Sequence, residues 1–490
     1  MKKALAMILS AVLLLTTLAV CGGTASATAE APGGEPPEGM PPGDPPGGFG
    51  GGPGGTPPGD PPGGFGGGPG GTPPGGFGGG PGGSSADIAY SGAVEITSAD
   101  TQSGQSYVST SSDESALLIS TTDEVTIADP TVTKSGSSDG GDSCNFYGLN
   151  AAVLVKDGAA VTIKGGSITS DASGANGVFC YGGNGGRNGA SGDGTTLYIY
   201  DTAIVTTGDG SGGIMTTGGG VTYAYDLDVT TSGRSSAAIR TDRGGGTVVV
   251  DGGSYTTNGL GSPAIYSTAD ITVSNSTLTS NLSEGVCIEG LNSITLVDCD
   301  LTASNTQRNS NATFLDTIMI YQSMSGDAAS GTSHFTMTGG TLTSKSGHVF
   351  HVTNTNAVIT LEGVEIVNED AGNILLSVCA DGWTGGSNTA MLKAVDQKLS
   401  GAVKVGSDSS LTLELTNGSS FEGSIDGSIV NAKGETVSAE VGAVSVTLDS
   451  TSTWTLTGDS YITEFNGSAE NVISNGYTLY VNGAALTGTI

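Results

Sequence analysis

Arg234, Arg240 and Arg243 are three of the five arginines in a 490-residue chain, and Asp242 stands between the last two. A guanidinium beside a carboxylate can orient a polar ligand, or the two can simply close on each other as a surface ion pair. What makes this cluster a candidate site is its place in a repeating pattern. Short apolar or β-branched triplets recur at intervals of roughly 25 residues: Val178-Phe179-Cys180, Ile214-Met215-Thr216, Ile239-Arg240-Thr241, Ile265-Tyr266-Ser267, Val286-Cys287-Ile288, Ile318-Met319-Ile320, Val349-Phe350-His351 and Ile374-Leu375-Leu376. Side chains alternate along a strand, so if the first residue of each triplet points inward the second points outward. Aligned this way, one outward column reads Phe179, Met215, Arg240, Tyr266, Cys287, Met319, Phe350, Leu375. The column two residues on reads Tyr181, Thr217, Asp242, Thr268, Glu289, Tyr321, Val352, Ser377.

From these columns the expected ligand contacts are Phe179, Tyr181, Arg240, Asp242, Tyr266, Glu289, Tyr321 and Phe350. Aromatic rings flanked by a few charges can hold sugar rings, the apolar faces by contact and the hydroxyls by oriented polar groups. Residues 182–194, 322–331 and 380–386 follow the same strand in three repeats and would rise beside the strip as walls. If those insertions close over it, the strip is instead a second small core.

The element that must carry such columns is a stacked coil. A second strand signal lies between the triplets, as in Val161-Thr162-Ile163, Ile271-Thr272-Val273 and Phe335-Thr336-Met337, with Gly, Asn, Asp and Ser in the turns. Fixed spacing of short strands without helical segments between them implies an all-β solenoid, a parallel β-helix. Each turn of the coil buries too little alone, so the turns stack about 4.8 Å apart and share one core. Aromatic residues are only 5% of the chain, which fits a thin core of small aliphatic side chains.

Other chemistry is sparse. His334, His348 and His351 have no recognisable nucleophile motif beside them, and His351 reads as an inward or strand-edge residue. Cys144, Cys180, Cys287, Cys299 and Cys379 show no CxxC spacing, which argues against zinc; a Cys287–Cys299 disulfide stays open. Asp193, in the run Gly189-Ala190-Ser191-Gly192-Asp193, and Asp209, between Gly208 and Gly210, faintly match the Gly/Asp turns of calcium-binding β-rolls, so a Ca2+ ion is the one cofactor the sequence raises. The formal charge of -32 excludes nucleic acid as a natural partner and disfavours anionic lipid or polysaccharide. The ligand should be neutral, or joined through divalent cations.

The N-terminus reads as an export signal, with Lys2 and Lys3 ahead of an apolar run from Ala4 to Val20. Two cleavages stand: after Ala25-Ser26-Ala27, freeing a protein that starts at Thr28, or before Cys21 in Leu18-Ala19-Val20-Cys21, which would leave a diacylglyceryl anchor on Cys21. Localisation is then extracellular, either secreted or at the cell surface, and any membrane contact is through that lipid. Residues 28–87 are dominated by a Gly/Pro-rich linker in which the unit from Pro41 to Thr56 recurs from Pro57 to Thr72, and the coil runs over 88–490.

The triplet pattern resembles the pectate-lyase-like right-handed parallel β-helix superfamily, which implies a right-handed coil, and the end of the chain, from Val446 through Trp454 to Gly458, is similar to rungs of autotransporter passengers and other bacterial adhesins. An exported β-helix behind a Gly/Pro-rich spacer also looks like carbohydrate-binding β-helix proteins of anaerobic Gram-positive bacteria. The resemblance implies either a surface adhesin or polysaccharide-binding protein without catalysis, or a calcium-dependent polysaccharide lyase or glycoside hydrolase. It transfers no catalytic residue: Asn-Thr-Asp, Asp-Asp, Gly-His-Gly and Arg-Ile-Lys motifs are all missing, and Arg240 and Arg243 complete no motif.

Overall fold

The structure is a computed structural model that describes residues 88–185 and 191–490. The export signal, Cys21, the Gly/Pro-rich segment and Gly189 and Ala190 of the calcium-like run lie outside the described residues.

Each full turn of the coil uses three strands rather than two, for example Ala160–Lys164, Ser167–Ser170 and Val178–Tyr181. The next turn repeats them as Thr196–Tyr200, Ala203–Thr206 and Ile214–Thr217, and every equivalent pair is parallel and in register. The middle strand escapes sequence reading because its four residues are often mostly Ser and Thr around one inward aliphatic, as with Ile168, Leu278 and Leu342. Stacking of the triplet strands yields a thirteen-stranded parallel sheet from Gly92–Ile96 to Ile425–Asp426. The chain folds as a parallel β-helix.

The turn between the first two strands explains the Gly/Asn/Asp spacing. Asp129, Gly165, Asp201, Asp226, Gly252, Asn275, Asp298 and Gly339 occupy it in successive coils at φ between 47° and 79°, a left-handed conformation that only Gly, Asn and Asp adopt at little cost. Alternation then does the rest. In Thr196–Tyr200 the side chains of Leu197 and Ile199 go inward while Thr196, Tyr198 and Tyr200 face out. Inward aliphatics from all three strands of each coil merge into one continuous core reaching from Ile96 to Leu479.

Two departures from a plain coil matter for the site. A six-residue helix, Asp142–Tyr147, stands outside the thirteen-stranded sheet and ends on Gly148 at φ 76°. Near the C-terminus two short antiparallel pairs break the parallel rule, Ile429–Val430 with Thr436–Ser438 and Leu479–Val481 with Ala484–Ala485.

Candidate functional site

The outward columns exist, and backbone pairing sets them. Phe179, Met215, Arg240, Tyr266, Cys287 and Met319 are register partners from one strand to the next, and Glu289 pairs with Tyr321. The strip is not continuous in character, however. Phe179, Tyr181 and Met215 pack with Leu118, Leu154 and the helix residues Phe146 and Tyr147 into a second small core, and Phe179 is fully buried. The apolar face of the helix thus takes the surface expected for ligand.

Phe350 is also not on the strip. It pairs with Ile318 on one side and Leu376 on the other, both inward, and joins the main core, where it meets Phe335 edge-on at 5.8 Å. The outward position next to Met319 belongs to His351. The alignment slips because Val349 is buried in the core just before Phe350, so the triplet begins one residue early. Leu375 likewise goes inward at a strand irregularity, leaving Ser377 opposite His351.

The remaining five expected residues, Arg240, Asp242, Tyr266, Glu289 and Tyr321, line one cavity of about 300 Å³. Its walls come from inserted segments. Ser323, Met324 and Asp327 belong to the expected 322–331 insertion and Trp383 to 380–386. Phe146 of the helix and Asn309 to Ala312, from the connection ahead of the Asp316–Tyr321 strand, were not foreseen. The wider gap between the Val286 and Ile318 triplets was the available sign of that second insertion. Trp383, one of two tryptophans, is 9% exposed and packs on Tyr321 with ring centres 4.9 Å apart.

The polar groups in the cavity are already engaged. An Arg240 guanidinium N–H donates to Asp242 Oδ2 at 2.5 Å, and the same guanidinium lies 5.6 Å from the centre of the Tyr266 ring. Arg243 pairs with Asp327, its Nε 2.9 Å from Oδ1, and covers the Phe146 ring at 4.3 Å. Glu289 accepts from Tyr266 (2.5 Å), Tyr321 (3.2 Å) and Ser323. Burial raises the Glu289 carboxyl above the usual range despite those donors. Burial also pushes the Asp242 carboxyl up to about 6; Arg240 opposes this, while the nearby Asp327 and Glu289 charges add to it. Arg234, the third arginine of the cluster, stays exposed and donates to Asn309.

The weak calcium expectation finds its residues used otherwise. Asp193 Oδ1 accepts from the Thr195 amide and hydroxyl within its own turn, and Asp209 Oδ1 accepts from the Arg234 amide of the next coil. Among the described residues no group of three or more His, Cys, Asp or Glu is arranged to hold a metal. Cys144, Cys180, Cys287, Cys299 and Cys379 are all buried free thiols, so the Cys287–Cys299 pairing that the sequence left open is not made.

A second polar cluster lies beside the cavity and was missed entirely. Ser377 Oγ is 2.7 Å from Nδ1 of both His348 and His351, and His351 Nε2 is 3.4 Å from Asp381 Oδ2. A single hydroxyl serves both rings if it accepts from one and donates to the other. The Ser-His-Asp order matches that of nucleophilic hydrolases, but His351, Ser377 and the Asp381 carboxylate are fully enclosed, with the Phe314 ring 4.5 Å from His351. Burial drives the His348 imidazole down to about 3, with His351 adding to the effect. Burial alone would raise Asp381; His351 and Thr313 outweigh it and hold the carboxyl below its ordinary range. The cluster works as a fastener: Asp381 Oδ1 accepts from the Thr313 amide and hydroxyl and from the Gly382 amide, tying together the two segments that carry Ala312 and Trp383.

Compared with protein-family models, curated proteins and solved structures, the chain matches none.

Proposed function

We propose that this is an exported bacterial β-helix protein, secreted or tethered at the cell surface, that binds a glycan in the cavity between Arg240 and Trp383 without transforming it. The observation that carries the reading is the convergence of Tyr266, Tyr321 and Trp383 with oriented carboxylates in one concave site on a rigid scaffold. Rings supply apolar contact for a sugar face and carboxylates accept from its hydroxyls. The likeness of the coil to the pectate-lyase-like superfamily, and the export signal ahead of a Gly/Pro-rich spacer, support a surface role by analogy. A cavity of about 300 Å³ with walls on several sides suits a chain end or a short branch better than a polymer running along the face.

The test is a panel of oligosaccharides titrated calorimetrically into the full chain, with product release followed in the same samples. Trp383→Ala should weaken the best ligand about 10- to 100-fold, the scale of losing one buried aromatic wall; it also removes a ring packed on Tyr321 and so lowers the thermal midpoint, and binding is compared at a temperature where the variant stays folded. Unchanged affinity in that variant would place the site elsewhere, and accumulating cleavage products would overturn the non-catalytic reading.

A further inference from the structure

Charge around the cavity is unbalanced. Asp242, Glu284, Glu289 and Asp327 line it against one lining guanidinium, Arg240, with Arg243 behind Asp327. Both guanidiniums are spent, one on Asp242 and one on Asp327. Among the described lining residues no positive group is left to receive an anionic sugar, and Glu284 and Glu289 have no cationic partner there; Arg234 stands outside the lining, bonded to Asn309.

The walls favour the same sign. Tyr266, Tyr321 and Trp383 present aromatic rings, which attract a cation through their negative faces. The geometry already shows this preference at one ring, where the Arg240 guanidinium sits over Tyr266 at 5.6 Å. Soft Met319 and Met324 side chains complete the lining. A ligand that brings a positive charge would neutralise the surplus carboxylates and meet the rings. One that also carries hydroxyls would use the Ser323 and Asn311 side chains, which lie on the cavity wall.

Resting on the glycan-binding reading above, we infer that the cavity selects a protonated amino sugar over neutral sugars and rejects uronates. Charge alone left a neutral ligand or one joined through divalent cations; the cavity points instead to a ligand that brings its own positive charge.

Glucosamine, glucose, glucuronate and tetramethylammonium, each titrated into the full chain at pH 7 and low salt, provide the test. Glucosamine should bind about tenfold or more tighter than glucose, as expected for one partly screened charge pair, and glucuronate should not bind. Tetramethylammonium, which has no proton to lose, should bind more weakly than glucosamine but gain affinity between pH 5 and pH 7. Asp242 ionises across that interval, its carboxyl lying at about 6, facing Arg240, Asp327 and Glu289. Asp242→Asn should remove the preference for glucosamine by leaving Arg240 unpaired; if that variant fails to fold, Asp327→Asn provides the same test through Arg243. Equal affinity for glucose and glucosamine overturns the inference and leaves the glycan reading standing. Tetramethylammonium binding as tightly as glucosamine overturns the sugar part of it, and binding by none of the sugars overturns both.

Discussion

Asp381→Ala should destabilise the domain by about 3–5 kcal/mol, the range for removing one partner of a buried charged network. The carboxylate accepts from the Thr313 amide, the Thr313 hydroxyl and the Gly382 amide, and faces His351 Nε2. All of these lose their acceptor together, at a carboxylate that is fully enclosed. Asp381→Asn keeps an oxygen for Thr313 and Gly382 and should cost about 1–3 kcal/mol, the range for one buried group left unpaired. Urea unfolding of the two variants against the parent measures both. A loss below about 1 kcal/mol for the alanine variant would mean that the segments holding Ala312 and Trp383 are fastened by something else.

Phe350→Ala should also cost about 3–5 kcal/mol, the usual range for truncating a large core side chain. Phe350 is fully buried between Ile318 and Leu376 and contacts Phe335. An outward, exposed aromatic would instead lose little on truncation. The outcome therefore decides the register of that strand as well as its burial, and a thermal midpoint close to that of the parent would contradict the packing described.

The coil was legible because its signals are local and repeat. Inward aliphatics alternate with polar residues, and a left-handed turn position filled by Gly, Asn or Asp recurs once per coil. The columns from Phe179 to Met319 followed from that register alone. What covers a column was not legible, since it depends on long-range packing. Nothing in Phe179 or Tyr181 announces that the Asp142–Tyr147 helix lies over them. Phe350 failed for a different reason, one apolar residue, Val349, placed ahead of the alternation. The His348, His351, Ser377 and Asp381 cluster brings together residues on two strands and an insertion, and only three-dimensional stacking reveals it.

The central claim is that ligand enters the cavity beside Trp383, and the chain offers a direct reporter of it. Of its two tryptophans, Trp454 is fully buried in the main core against Phe421, while Trp383 lines the cavity. In a Trp454→Phe variant, tryptophan emission comes from Trp383 alone. Titrating glucosamine into that variant should change the emission saturably, with the same midpoint that calorimetry gives. Heat of binding without any change in Trp383 emission would contradict the account, because a ligand could then occupy the protein without touching the cavity.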